Sequence, residues 1–139
     1  MPAVSLETAN LLLTIAFLVG AVTDGLALIL MLSRRAGAAI FGGGASKDGA
    51  AYRYAMGIGA ALMAGWTVLL LWGAANPIAR RDILLLTVFP VITGIVLATV
   101  VAARNRVVLP SRVVPLWVHL GLVSIFYIVA YVLSAPFVR

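Results

Sequence analysis

Two side chains in this 139-residue sequence could handle a proton within otherwise apolar surroundings, Asp24 and His119. Asp24 is the only charged residue in the run Leu11–Leu32. An ionisable group inside a bilayer is costly, so it is either paired or functional. A carboxylate removed from water can bind and release a proton near neutrality, which is what a proton- or cation-coupled site requires. The same residue could instead accept a hydrogen bond from a neighbouring helix and serve only packing. Ala16 and Gly20 precede it at i−8 and i−4, and small residues at that spacing let a second helix approach closely. Asp24 is therefore expected to face protein, not lipid.

His119 is the only histidine. A rise of 1.5 Å per residue puts Asp24 about 12 Å and His119 about 9 Å inside their apolar runs. If the first and fourth runs are neighbours the two can meet, with Tyr127 or Tyr131 the next expected partners of Asp24. A lone histidine does not make a metal site, and with no cysteine in the chain thiolate and disulfide chemistry are excluded. His119, Ser124, Tyr127, Tyr131 and Ser134 fall within an arc of about 140° at 100° per residue. Such an arc lines a cavity or bonds between helices. A serine hydrolase is not implied, because no Gly-x-Ser-x-Gly elbow is present and Ser124 lies about 140° around the helix from His119. No cofactor or metal is expected. Pro90 cannot donate to the carbonyl of Leu86; transporters hold ions at broken helices of this kind, although membrane helices also tolerate proline without function.

The elements that carry these residues follow from composition. Hydrophobic residues make up 64% and charged residues 10% of the chain, against roughly 45–50% and about 25% in soluble domains. So few charges cannot cover so much apolar surface in water, and lipid is the solvent that fits. Crossing the hydrocarbon takes about 20 mostly apolar residues, and Leu11–Leu32, Tyr54–Ala75, Ile83–Ala103 and Val113–Leu133 qualify. The expectation is an all-α, integral membrane four-helix bundle forming a single domain over residues 1–139. No basic residue precedes the first run and Arg34-Arg35 follow it, so it is read as a retained span and not a signal peptide. The longest connection, Ser33–Arg53, contains Gly42-Gly43-Gly44. It reads as a flexible linker, since the spacing of a phosphate loop is missing.

Basic residues are unevenly shared. Arg34, Arg35, Lys47, Arg53, Arg104, Arg106 and Arg112 lie in the first and third connections, against Arg80, Arg81 and Arg139 on the other side. The positive-inside rule then puts both termini outside the cytoplasm of a cell with a multi-pass inner (plasma) membrane protein. Arg34, Arg35, Arg53, Arg104, Arg106 and Arg112 are assigned to anionic lipid headgroups. The net charge of +6 is not read as nucleic-acid binding, because no long polar segment interleaves aromatic and basic residues. Arg53 also opens a small-residue stripe, Gly57, Ala61 and Gly65, which reads as a helix-packing surface. Packing within the chain is expected ahead of dimerisation.

In length and number of spans the chain resembles the small multidrug resistance transporters, whose first helix carries an embedded glutamate. Here the single glutamate, Glu7, precedes the span and the embedded acid is Asp24, so the likeness is architectural and extends to no motif. Three functions fit: an accessory or interaction subunit, in a homo-oligomer or a larger membrane complex; a small oligomeric transporter coupled through Asp24; and a lipid-ligand binder or membrane-embedded isomerase using Asp24 and His119. The first is the leading expectation, and with it a protein that is not an enzyme.

Overall fold

A computed structural model describes residues 5–33, 49–106, 108 and 110–137, with the side chains of residues 51, 110 and 112 outside the description. Among the described residues all regular secondary structure is helical. Four helices are long and apolar enough to cross a membrane: α1 (Leu6–Leu32), α2 (Ala50–Ala74), α3 (Asp82–Arg104) and α4 (Pro110–Ser134), the last followed by a 3₁₀ turn at Ala135–Phe137. The protein is thus a multi-pass membrane protein with the architecture its composition demands.

Local chemistry sets the ends. α1 begins five residues before its apolar run because Ser5 caps it: the Thr8 N–H donates to Ser5 Oγ at 3.1 Å, and Glu7 sits in the first turn, where a negative charge meets the positive end of the helix dipole. α4 opens on Pro110, whose missing N–H costs nothing in a first turn. α3 departs from regular geometry. Around Pro90 the α-helix opens into a π turn over Thr87–Ile92. A proline inside a helix removes one amide and crowds the preceding turn, and a wider turn relieves that crowding while the helix continues.

α1 packs against both α2 and α4, α4 packs against α3 as well, and α2 touches the first turns of α3, so the helices close in the cyclic order α2, α1, α4, α3. The core is not centred. In α1 the buried residues are Ala9, Leu13, Ala16, Phe17, Gly20 and Ala21, and none follows Ala21. In α3 they are Ile83, Leu84, Thr87, Val88 and Ile92, with none in Thr93–Arg104. Leu70 on α2 and Tyr127, Ala130 and Ser134 on α4 complete this packed half, which holds the first turn of α1 and the last turn of α4. The other half, carrying Arg53, Arg104 and Arg106, is looser. We call the two the terminal half and the basic half.

Lipid tails are as apolar as leucine, so helices in a bilayer associate through close packing and hydrogen bonds rather than escape from water. The terminal half supplies the packing through two glycines. A Cβ at Gly73 would run into the Phe17 ring, and one at Gly20 would run into the Tyr127 hydroxyl and lie 3.1 Å from Leu70. Each aromatic ring of one helix therefore fills the space left by the glycine of another.

Candidate functional site

Asp24 lies one turn beyond Gly20, where the packed half ends. It is half-buried, and its Oδ2 is buried with no hydrogen-bond partner. On α4, Tyr127 places its hydroxyl against Gly20, one turn before Asp24. Tyr127 is fully buried because Gly20 leaves room for its hydroxyl to reach α1. His119 takes no part: it is exposed on the outer surface of α4. Depth along the helix makes His119 level with Asp24 but does not fix which way its side chain points, and the buried face of α4 runs through Leu120, Val123, Tyr127 and Ala130 instead.

Tyr131 is engaged elsewhere. The Arg81 guanidinium lies 4.4 Å above its ring and donates to the Tyr131 carbonyl and to Ser134 Oγ, each at 3.3 Å. Arg80 stacks 3.7 Å over the Trp72 ring and donates to the Trp72 carbonyl. Both arginines of the α2–α3 turn are thus spent on closing the terminal end. The polar arc of α4 dissolves in the same way: Ser124 Oγ donates to the Leu120 carbonyl and Ser134 Oγ to the Tyr131 carbonyl, both at 2.8 Å.

The arginines of the basic half differ. Arg53, Arg104 and Arg106 are exposed, and their guanidinium groups make no hydrogen bond, ion pair or ring contact among the described residues. Arg106 follows the last turn of α3 with φ 56°, a left-handed position that glycine usually takes at a helix end. Arg34 and Arg35 lie outside the described residues, as does the Arg112 side chain.

The two small-residue faces also separate. Ala16 and Gly20 are buried between helices, whereas Gly57, Ala61 and Gly65 are exposed, with nothing among the described residues within 4 Å of a Cβ built at either glycine. α2 meets α1 through a different face, with Met31 Sδ 3.4 Å from a Cβ at Gly59 and Ala60, Leu70 and Gly73 buried. The expected use of the Gly57 stripe for packing within the chain is therefore corrected. The i, i+4, i+8 spacing identified a flat strip but not which neighbour would cover it.

Two interhelical contacts with no signature in the residue spacing hold α3. Trp66 Nε1 donates to Thr87 Oγ1 at 3.1 Å, and Trp117 Nε1 donates to Thr99 Oγ1 at 2.8 Å. An indole N–H in hydrocarbon must find an acceptor, and Trp66, in mid-span, was the readable signal. Beyond the Trp117 contact α3 and α4 diverge around an apolar groove of about 450 Å³, lined on α3 by Thr93, Val96, Leu97 and Val100 and on α4 by Trp117 and Gly121 among others. Among the described residues no cluster of metal-ligating side chains occurs. No family model, curated protein or solved structure matches the chain.

Proposed function

We propose that this protein is a non-enzymatic membrane interaction subunit that offers the Gly57–Ala61–Gly65 strip of α2 to a transmembrane helix of a second copy or of a larger complex. The observation that carries this reading is that the strip is exposed and uncovered, while the same residue types in α1 are filled from within the chain. A small-residue strip facing lipid leaves a shallow trough that side chains of a neighbouring helix fill closely, and packing of that kind is the main attraction between helices in hydrocarbon. The test is a photoactivatable side chain at Ala61 in native membranes, compared with one at the exposed Ile125. A discrete adduct from Ala61 alone, lost in Gly57→Leu/Gly65→Leu, is expected. Equal or absent adducts at both positions refute the proposal.

A second reading rests on Asp24, whose Oδ2 is buried without a partner. It is a small transporter or ion pathway with Asp24 as its coupling site. Asparagine keeps a carbonyl acceptor and adds donors but cannot titrate. Under the interaction reading Asp24→Asn assembles and melts like the parent, and no proton-coupled uptake into proteoliposomes disappears. An unchanged melting temperature with lost uptake promotes the transporter.

We place the basic half in the cytoplasm and both termini outside it, on the strength of the seven-to-three distribution of basic residues. Reporter fusions to each terminus and to the Ser33–Arg53 connection test this; activity of a cytoplasmic reporter at the C-terminus refutes it.

A further inference from the structure

The groove between α3 and α4 has features that the interaction reading does not use. It opens sideways: Leu97 is 61% exposed, and Thr93 and Gly121 are exposed as well. Its volume of about 450 Å³ falls in the range of small-molecule sites, roughly 300–1,000 Å³. Its few hydroxyls are already used, since Thr93 Oγ1 donates to the Val88 carbonyl at 3.0 Å and Ser124 Oγ to the Leu120 carbonyl at 2.8 Å. The Trp117 indole N–H is committed to Thr99 Oγ1. What remains is an apolar wall, suited to hydrocarbon. From Ile92 to Val100 the lining advances eight residue steps along α3, about 12 Å at 1.5 Å per residue, which is the reach of part of an acyl chain.

Beyond one end of this groove the chain carries two arginines. Thr93, Leu97 and Arg104 fall within about 20° of one line along α3 at 100° per residue. Arg104 therefore continues the groove face, about 6 Å beyond Val100 along the helix axis. Arg106 lies just past it, and neither guanidinium has a partner among the described residues. Arg104 also stands in the last turn of α3, where a cation meets the negative end of the helix dipole; that role occupies none of its donors. Long basic side chains at a helix end extend toward the headgroups while their stems stay in the apolar layer.

From this juxtaposition we infer that the α3–α4 groove binds one anionic phospholipid of the adjacent leaflet, with an acyl chain along Val96, Leu97, Val100 and Gly121 and the phosphate on Arg104 and Arg106. The apolar wall selects a lipid over a free phosphate, and the two arginines select an anionic headgroup over a zwitterionic one. Diffuse attraction of any basic loop to an anionic membrane would not need the groove, and the test separates the two.

The protein in nanodiscs of mixed phosphatidylglycerol and phosphatidylcholine is released into the gas phase and its retained lipids are counted by native mass spectrometry. One phosphatidylglycerol per chain is expected. A basic residue beside an anionic headgroup contributes about a fivefold preference, so Arg104→Gln and Arg106→Gln should each weaken retention of the groove lipid about fivefold, while Arg53→Gln, on another helix and away from the groove, leaves that retention unchanged. A Cβ at Gly121 meets nothing within 4 Å, so Gly121→Leu has room to extend into the groove and should abolish the retained lipid. Gly94→Leu, equally unobstructed but outside the groove lining, should not. If Gly121→Leu does not assemble, Leu97→Trp fills the groove from the opposite wall and must give the same loss. Glycerol phosphate at millimolar concentration should not displace the lipid. Retention that survives both groove-filling variants, or a preference lost equally in Arg53→Gln, overturns the inference.

Discussion

Gly20 and Gly65 belong to similar small-residue strips on neighbouring helices, yet one is sealed and the other bare. A Cβ at Gly20 would meet Tyr127 and Leu70, whereas one at Gly65 would meet nothing. The difference lies in what the opposing helices bring. Tyr127 on α4 and Phe17 on α1 carry rings long enough to enter the space over Gly20 and Gly73, and the residues around them are buried as a result. Among the described residues nothing lies within 4 Å of a Cβ at Gly57 or Gly65. A small-residue motif therefore marks capacity for close approach, and whether that capacity is used depends on a ring elsewhere in the chain.

The largest expected effect comes from closing a filled glycine. Gly20→Leu and Gly73→Leu force side chains into Tyr127 or Phe17, and overpacking of this kind should cost about 3 kcal/mol, the upper part of the usual range. Gly57→Leu and Gly65→Leu should change the stability of the isolated chain by less than about 0.5 kcal/mol, as surface substitutions do. Equilibrium unfolding in mixed micelles measures both sets. Equal losses at Gly20 and Gly65 would erase the distinction between the strips.

The arginines repeat the contrast on a smaller scale. Arg81 joins the α2–α3 turn to the end of α4 through two hydrogen bonds and a stacked ring. Arg81→Gln should cost about 1–2 kcal/mol, a sum of modest hydrogen-bond and cation–π contributions. Arg104→Gln removes no contact among the described residues and should leave the melting temperature in detergent within about a degree of the parent, apart from a small dipole contribution. A substantial loss at Arg104 would show that the basic half is more tightly built than its exposure implies.

These pairs also explain what could be read from the sequence. Hydropathy gave the four spans to within a few residues, because length and apolarity alone decide whether a helix crosses a bilayer. The chief shortfall, at the start of α1, came from polar capping residues that no hydropathy window includes. The small-residue spacing correctly brought α1 near another helix at Gly20. Orientation about each helix axis was not legible for His119 or for Gly57, Ala61 and Gly65. In a soluble helix the apolar face points inward, but here both faces are apolar, and the periodicity that would separate core from surface vanishes. The Arg80–Trp72 and Arg81–Tyr131 pairs escaped notice because they join residues far apart in the chain or across a turn, where spacing gives no guide.

The smallest expected effect tests whether the two halves differ in cohesion or only in packing. Trp66 and Trp117 make chemically identical bonds to α3, to Thr87 in the packed half and to Thr99 beside the groove. Thr87 is buried, and its hydroxyl hydrogen goes to the Ile83 carbonyl at 2.8 Å, so it is free to accept the indole N–H. Thr99 does the same with the carbonyls of Ile95 and Val96 at 2.9 Å. Double-mutant cycles of Trp→Phe with Thr→Val isolate each bond. Interhelical hydrogen bonds in a membrane average about 0.6 kcal/mol, and both cycles should return that order of coupling. Their consequences should differ. Around Thr87 the neighbouring Leu84 and Val88 are buried and hold α3 in place, so Trp66→Phe should leave hydrogen exchange there unchanged. No residue of Thr93–Arg104 is buried, so Trp117→Phe removes one of the few restraints on that segment, and its exchange should accelerate. Equal exchange rates in the two variants would mean that the groove walls are held by packing after all.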